Sequence, residues 1–164
     1  HDGEAQTEQW LTGLKANLAR KPQGNDRGQV KAINSGLCDL SLGNSYYFGK
    51  MLMDEKQKVW ADSVELNFPN QSDRGAHINV SGAVIAKYAP HKDAALKLLN
   101  FLSSDKAQAL YAELNMEYPV KPGVAPSKMV QSWGEFKADS IALNQVAAQR
   151  KTALKLVDKV KFDL

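Results

Sequence analysis

Two phenols stand side by side at Tyr46-Tyr47, within Gly43-Asn44-Ser45-Tyr46-Tyr47-Phe48-Gly49-Lys50. A free tyrosine titrates near pH ~10, so a site that uses phenolates at neutral pH must supply strong positive charge, and a metal cation is the most effective source. On a strand the two side chains would point to opposite faces. On the first turn of a helix they differ by about 100°, which lets both converge on one point. Asn44 or Ser45 suits the N-cap of such a helix, whose N-terminus favours anionic oxygens. The pair therefore reads either as a metal site or as a half-buried aromatic pair with its hydroxyls on water or backbone.

Upstream, Asp26-Arg27 offers a second chemistry. Arginine carries a fork of donors suited to clamping an oxyanion, while the alternative is a capping Asp26 beside a solvated Arg27. Other constellations are missing. No Gly-x-Gly-x-x-Gly, Gly-Lys-Ser/Thr loop, Gly-x-Ser-x-Gly elbow or His-Glu-x-x-His helix occurs. His1, His77 and His91 lack metal-ligand spacing, and nothing singles out a pair of carboxylates, so an enzyme is not expected.

The chain has 164 residues with 43% hydrophobic and 24% charged side chains, a globular balance with no apolar run long enough to span a bilayer. A formal charge of +3 is scattered rather than gathered into a stripe, which argues against a nucleic-acid partner. The single cysteine, Cys38, is either a small buried hydrophobe or half of a bridge to a cysteine elsewhere. The first residue is His1 and no signal peptide precedes it, so the expectation is that something has been removed.

Periodicity supplies the elements. Residues 4–20 read as a helix with Trp10, Leu11, Leu14 and Leu18 on one stripe. A short helix follows from Asp26 through Ile33, ended by Gly36 in the left-handed position. Cys38, Leu40 and Leu42 alternate with polar residues, as do Val64, Leu66 and Phe68, which predicts two strands; the apolar run 78–86 predicts a third. Ala94, Ala95, Leu98, Leu99 and Leu102 predict the buried face of a helix, Ser103 or Ser104 caps the next, and a last helix covers 140–159. The polar stretch 69–75 and the connector Glu117-Tyr118-Pro119-Val120-Lys121-Pro122-Gly123 are the two candidate crossings between lobes. Strands alternating with helices predict an α/β fold.

Five stretches carry a family resemblance: residues 21–27 (Lys-Pro-Gln-Gly-Asn-Asp-Arg), Gly43 to Tyr47, Gly75 to Ala83, Leu98 to Ser104, and Glu117 to Val120. In that order the chain resembles the C-terminal half of a bacterial periplasmic ferric-ion-binding protein, the solute receptor of an iron ABC importer. The resemblance implies a two-lobed type II periplasmic fold. In it residues 1–74 and 123–164 belong to the second lobe and 75–122 return to the first. It places the paired tyrosine ligands on Tyr46 and Tyr47, with Asn44 and, more loosely, Arg27 holding a synergistic anion such as carbonate, phosphate or citrate. The cargo is then Fe3+, and the expected partners are that ion, an inner-membrane ABC permease and the absent N-terminal half, which would supply the other ligands and a bridge for Cys38. A monomer in the periplasm of a Gram-negative bacterium is expected. The rival readings are a same-fold receptor for an oxyanion, thiamine or polyamine, and, further off, the effector domain of a transcription regulator.

Overall fold

The computed structural model describes residues 1–163 as two compact units. The first joins residues 1–25 to the stretch from Ser140 onward, and the second is Asp26–Asp139.

In the first unit α1 (Gly3–Ala16) packs beside the long C-terminal helix α8 (Leu143–Val160). Glu4 in the first turn and Lys15 in the last complement the dipole of α1. The side-chain carbonyl of Gln145 accepts from the Ala142 backbone N–H at 3.3 Å and steadies the start of α8. At the other end Lys15 Nζ donates to the Val160 carbonyl at 2.9 Å, and Lys159 meets Glu8 at 2.7 Å. The Lys15 bond is partly buried, while the more solvent-facing Lys159–Glu8 pair sets register more than it stabilises. The expected stripe of α1 is present but open: the helix buries none of its residues, and Trp10 is exposed.

The second unit is built on α2 (Asp26–Asn34), α3 (Ser45–Leu52) and α4 (Lys58–Ala61), which pack mutually, with α6 (Asp105–Asn115) against α3 and α5 (Lys92–Leu102) beside α6. The last helix of the unit is α7 (Lys128–Ser132). Small residues allow the close approach: Ala32 on α2, Ala61 on α4, and Ala107 and Ala112 on α6 are all buried. Met51 and Val130 are the largest side chains fully removed from solvent. Ser104 and Ser127 cap α6 and α7, each accepting a backbone N–H at 3.3 Å. Gln108 ties α6 to the connector that follows, donating to the Leu102 carbonyl and accepting from the Val120 N–H.

Strands are where the structure departs from expectation. Among the described residues the β pairing is a single parallel bridge between Ala76 and Ala138, so the α/β expectation holds only in part: the described residues are mostly helical. The segments at 38–42, 64–68 and 78–86 are not strands, because a strand exists only when a neighbour takes its backbone hydrogen bonds. Within 38–42 even the facing is wrong, since Leu40 and Leu42 are 81% and 70% exposed. In 64–68 the alternation survives without a ladder: Val64, Leu66 and Phe68 are partly covered and Glu65 and Asn67 are exposed. Phe68 there stacks on Phe136 with centroids 4.3 Å apart, and Tyr118 meets the same ring edge-on. Val84, in the third segment, is 94% exposed. The face of α5 that includes Leu98 buries no residue either.

Two glycines are required by close approach. Gly75 has φ +91°, and a Cβ there would lie 2.5 Å from the Lys137 carbonyl, next to the Ala76–Ala138 bridge. Gly49 on α3 is buried, and a Cβ would fall 2.7 Å from Cβ and Cγ of Met116, itself held in the left-handed region at φ 57°. Gly49→Ala gains about 1 kcal/mol of helix propensity but incurs overpacking of about 1–3 kcal/mol against a rigid neighbour. Net destabilisation is expected in urea unfolding of the protein.

Candidate functional site

The tyrosine turn begins at Asn44, which occupies the N-cap of α3 in an extended conformation, φ −83° and ψ 131°. Its carbonyl accepts the Tyr47 N–H at 3.1 Å and so starts the helix. The side chain of Asn44 does not cap α3. It reaches instead to the first residue of α2, where Asp26 Oδ1 accepts both the Asn44 backbone N–H at 2.7 Å and its Nδ2 at 3.1 Å. Asn79 donates through Nδ2 to the remaining Asn44 side-chain oxygen at 3.2 Å.

Tyr46 and Tyr47 follow at once, both half-buried, with ring centroids 4.2 Å apart and planes inclined by 32°. Adjacent helical residues rarely meet so closely, and their meeting puts two phenols on one patch of surface. Each ring has a cation beside it. The Arg27 guanidinium lies 5.1 Å from the centre of the Tyr47 ring, and Lys50 Nζ lies 5.7 Å from that of Tyr46, both within cation–π range. Arg27 Nε is buried and has no hydrogen-bond partner.

All four residues singled out by sequence therefore lie in the second unit. Asn44, Tyr46 and Tyr47 are consecutive with Ser45 at the start of α3, and Arg27 reaches them from α2. The carboxylate of Asp26, expected to cap α2, accepts from Asn44. Sequence reasoning missed Asp26 and Asn79 as members of the site. The position of Lys50, one helical turn after Tyr46, was available as a signal; nothing in the sequence links Asn79 to Asn44. The histidines are exposed, and among the described residues no group of three or more His, Cys, Asp or Glu side chains could hold a metal.

Electrostatics set the resting state of the pair. A hydrogen bond with Tyr47 is the main reason that Tyr46 holds its proton up to about 12; burial, the charge on Tyr47 and the negative charges of Asp26 and Glu117 add to it. The free turn therefore presents Tyr46 as a protonated phenol at neutral pH. Because the folded phenol binds its proton more tightly than the unfolded one, its contribution to stability is complete below pH ~10 and fades as pH rises towards 12. Ultraviolet titration of the metal-free protein should show a late-ionising tyrosine that disappears in Tyr46→Phe. In Tyr47→Phe, which removes the hydrogen bond, the Tyr46 midpoint should fall back towards 10.

Comparison with known proteins supplies the class to which this chain belongs. Residues 10–138 match the family described as bacterial extracellular solute-binding protein, and the chain belongs to that family. It is a family of solute-binding proteins, not of enzymes. Among curated relatives, Iron uptake protein A1 of Synechocystis sp. is 45% identical over 160 residues, covering 96% of this chain and 44% of that protein. The structure is similar to the apo ferric ion-binding protein A of Pasteurella haemolytica, with TM-score 0.94 and 60% identity over 98% of this chain and 50% of that one. A Trichodesmium protein solved in complex with iron and citrate ligands aligns with TM-score 0.91 and 39% identity, over 98% of this chain and 51% of that one. The chain thus spans about half the length of the relatives it matches. Among the described residues no helix is long and apolar enough to cross a membrane.

Proposed function

We propose that this chain forms part of a periplasmic receptor of a Gram-negative bacterium. The receptor captures ferric iron through the phenolates of Tyr46 and Tyr47 in a cleft between two lobes, and delivers it to an ABC importer in the inner membrane. The observation that carries the reading is the tyrosine pair at the start of α3, ring against ring, with Arg27 and Lys50 alongside. Ferric ion is small and hard, and anionic oxygen donors suit it better than thiolate or thioether. Each phenol that loses its proton to bind the metal leaves a negative charge, which a nearby cation partly offsets.

The anion expected to complete the coordination finds donors beside the pair. Arg27 brings a buried Nε that has no partner in the protein, and Asn44 keeps one of its two amide hydrogens after serving Asp26. Carbonate, phosphate and citrate all offer the oxygens these donors need. Citrate accompanies iron in the Trichodesmium relative. In the lobe arrangement proposed here, residues 1–74 and 123–164 lie in the lobe of the tyrosines and 75–122 cross to the other, with α6 near the end of that stretch packed back on α3. The remaining iron ligands then come from sequence outside this chain, and the functional receptor is a monomer of the longer protein.

In the full-length protein, adding ferric ion as a weak chelate should produce a purple-red phenolate-to-iron absorption band. Tyr46→Phe and Tyr47→Phe together should abolish it, and acidification should bleach it as protons reclaim the phenolates. An iron-loaded wild-type protein with no such band would overturn the reading, in favour of a same-fold receptor for another small solute. The isolated 164-residue chain should bind ferric ion more weakly than the full-length protein, by competition against a colorimetric chelator.

A further inference from the structure

We propose that Asp26 is the positioning residue of the tyrosine turn, acting through Asn44 and not by contact with the cargo. Three observations converge on its carboxylate, and a fourth on its partner Asn44. Its Oδ1 takes two hydrogen bonds from one residue, the Asn44 backbone N–H at 2.7 Å and the amide Nδ2 at 3.1 Å. A carboxylate accepts such bonds with full charge and makes them stronger than neutral ones. The carboxylate also lies against the turn itself: a Cβ added to Gly43 would sit 3.3 Å from Asp26 Oδ1, so only a residue without a side chain lets the acid come this close without displacement. Asn79 holds the opposite end of the same amide at 3.2 Å, so Asn44 is clamped from both sides and its orientation is determined, because an ionised carboxylate can only accept.

The clamp matters because of what Asn44 does next in the chain. Its carbonyl takes the Tyr47 N–H and fixes where α3 begins, and the start of α3 decides the direction in which Tyr46 and Tyr47 leave the backbone. Helix N-caps ordinarily use their own side chain for the orphan N–H groups of the first turn. Here that side chain is diverted to Asp26, so the register of α3 is tied to α2. The adjacent Arg27 stands against the Tyr47 ring, so one turn of α2 supplies both the anchor for the turn and a cation for the pair.

The consequence for metal capture rests on the iron reading above, whereas the positioning itself is measurable without metal. In the full-length protein, Asp26→Ala, Asp26→Asn and Asn79→Ala are compared with wild type in two states. Without iron, the readouts are amide hydrogen exchange at Asn44 and the fluorine NMR signals of Tyr46 and Tyr47 labelled as 3-fluorotyrosine. With ferric ion added as the nitrilotriacetate chelate, they are the visible band and the rate of iron loss to a competing chelator. Asp26→Ala should speed Asn44 exchange and iron loss by about tenfold or more, the scale of one lost charge-assisted hydrogen bond, and should move both fluorine signals. Asp26→Asn keeps an acceptor oxygen and should recover most of each effect; Asn79→Ala should show a smaller change in the same direction. Wild-type exchange and fluorine signals in Asp26→Ala would overturn the proposal. So would an Asp26→Asn protein as disturbed as Asp26→Ala, since an acceptor oxygen kept in the same place would then hold nothing. Should Asp26→Ala not fold, Asn79→Ala decides: unchanged signals overturn the clamp, and shifted signals in a protein of wild-type melting temperature support it. A wild-type protein with no visible band would defeat the iron reading alone, leaving the metal-free comparison to decide the role of Asp26.

Discussion

Everything at this site depends on holding two neighbouring phenols against one another at the first turn of a helix. Successive helical residues point about 100° apart, so a 4.2 Å separation of ring centroids needs a fixed entry into α3. The turn at Gly43 and Asn44 supplies it, through a hydrogen-bonded contact with α2 that is remote in sequence and short in space. The two rings then share a patch whose other charged members, Arg27, Lys50, Asp26 and Glu117, have opposing effects. The acids hold protons on Tyr46, and the cations stand ready to offset negative charge once those protons leave. Under the iron reading proposed above, such a balance keeps the proton on Tyr46 until a metal cation displaces it.

The helices around the turn make that geometry rigid. On α3 the residues after the tyrosines face inward, with Met51 fully buried and Gly49 pressed on Met116. Buried alanines on α2, α4 and α6 bring the backbones close, so α3 has little freedom to roll. Trp133, 5.8 Å from Phe48 by ring centroids, closes the side of α3 next to the tyrosines. A binding residue placed on a packed helix keeps its direction better than one on a free loop.

Local signals in the sequence were good guides wherever the chain interacts with itself nearby. The helix beginning at Asp26, the stop at Gly36 with φ +71°, the Ser104 cap and the helical start at the tyrosines all follow from nearest-neighbour chemistry. Arg27 was visible only as a possible oxyanion clamp upstream of the pair; its place at the Tyr47 ring comes from the fold. Strands were illegible because their existence depends on a partner backbone, which an alternating pattern does not contain. The stripe on 38–42 shows the cost: Leu40 and Leu42 have the right period and the wrong surroundings. The same limit hid the second role of Asp26. A helix cap and a clamp on a distant asparagine use the same residue type, and only the fold decides which donor reaches the carboxylate.

Resonance Raman spectroscopy of the iron-loaded full-length protein tests the central claim most directly, because excitation in the visible band enhances only vibrations of groups bound to the metal. Tyrosinate ring modes are expected in wild type, diminished in each of Tyr46→Phe and Tyr47→Phe, with the contribution of this pair lost in the double variant. A wild-type spectrum without tyrosinate modes, or one that the double substitution leaves unchanged, would contradict the assignment of this turn as the iron-binding element.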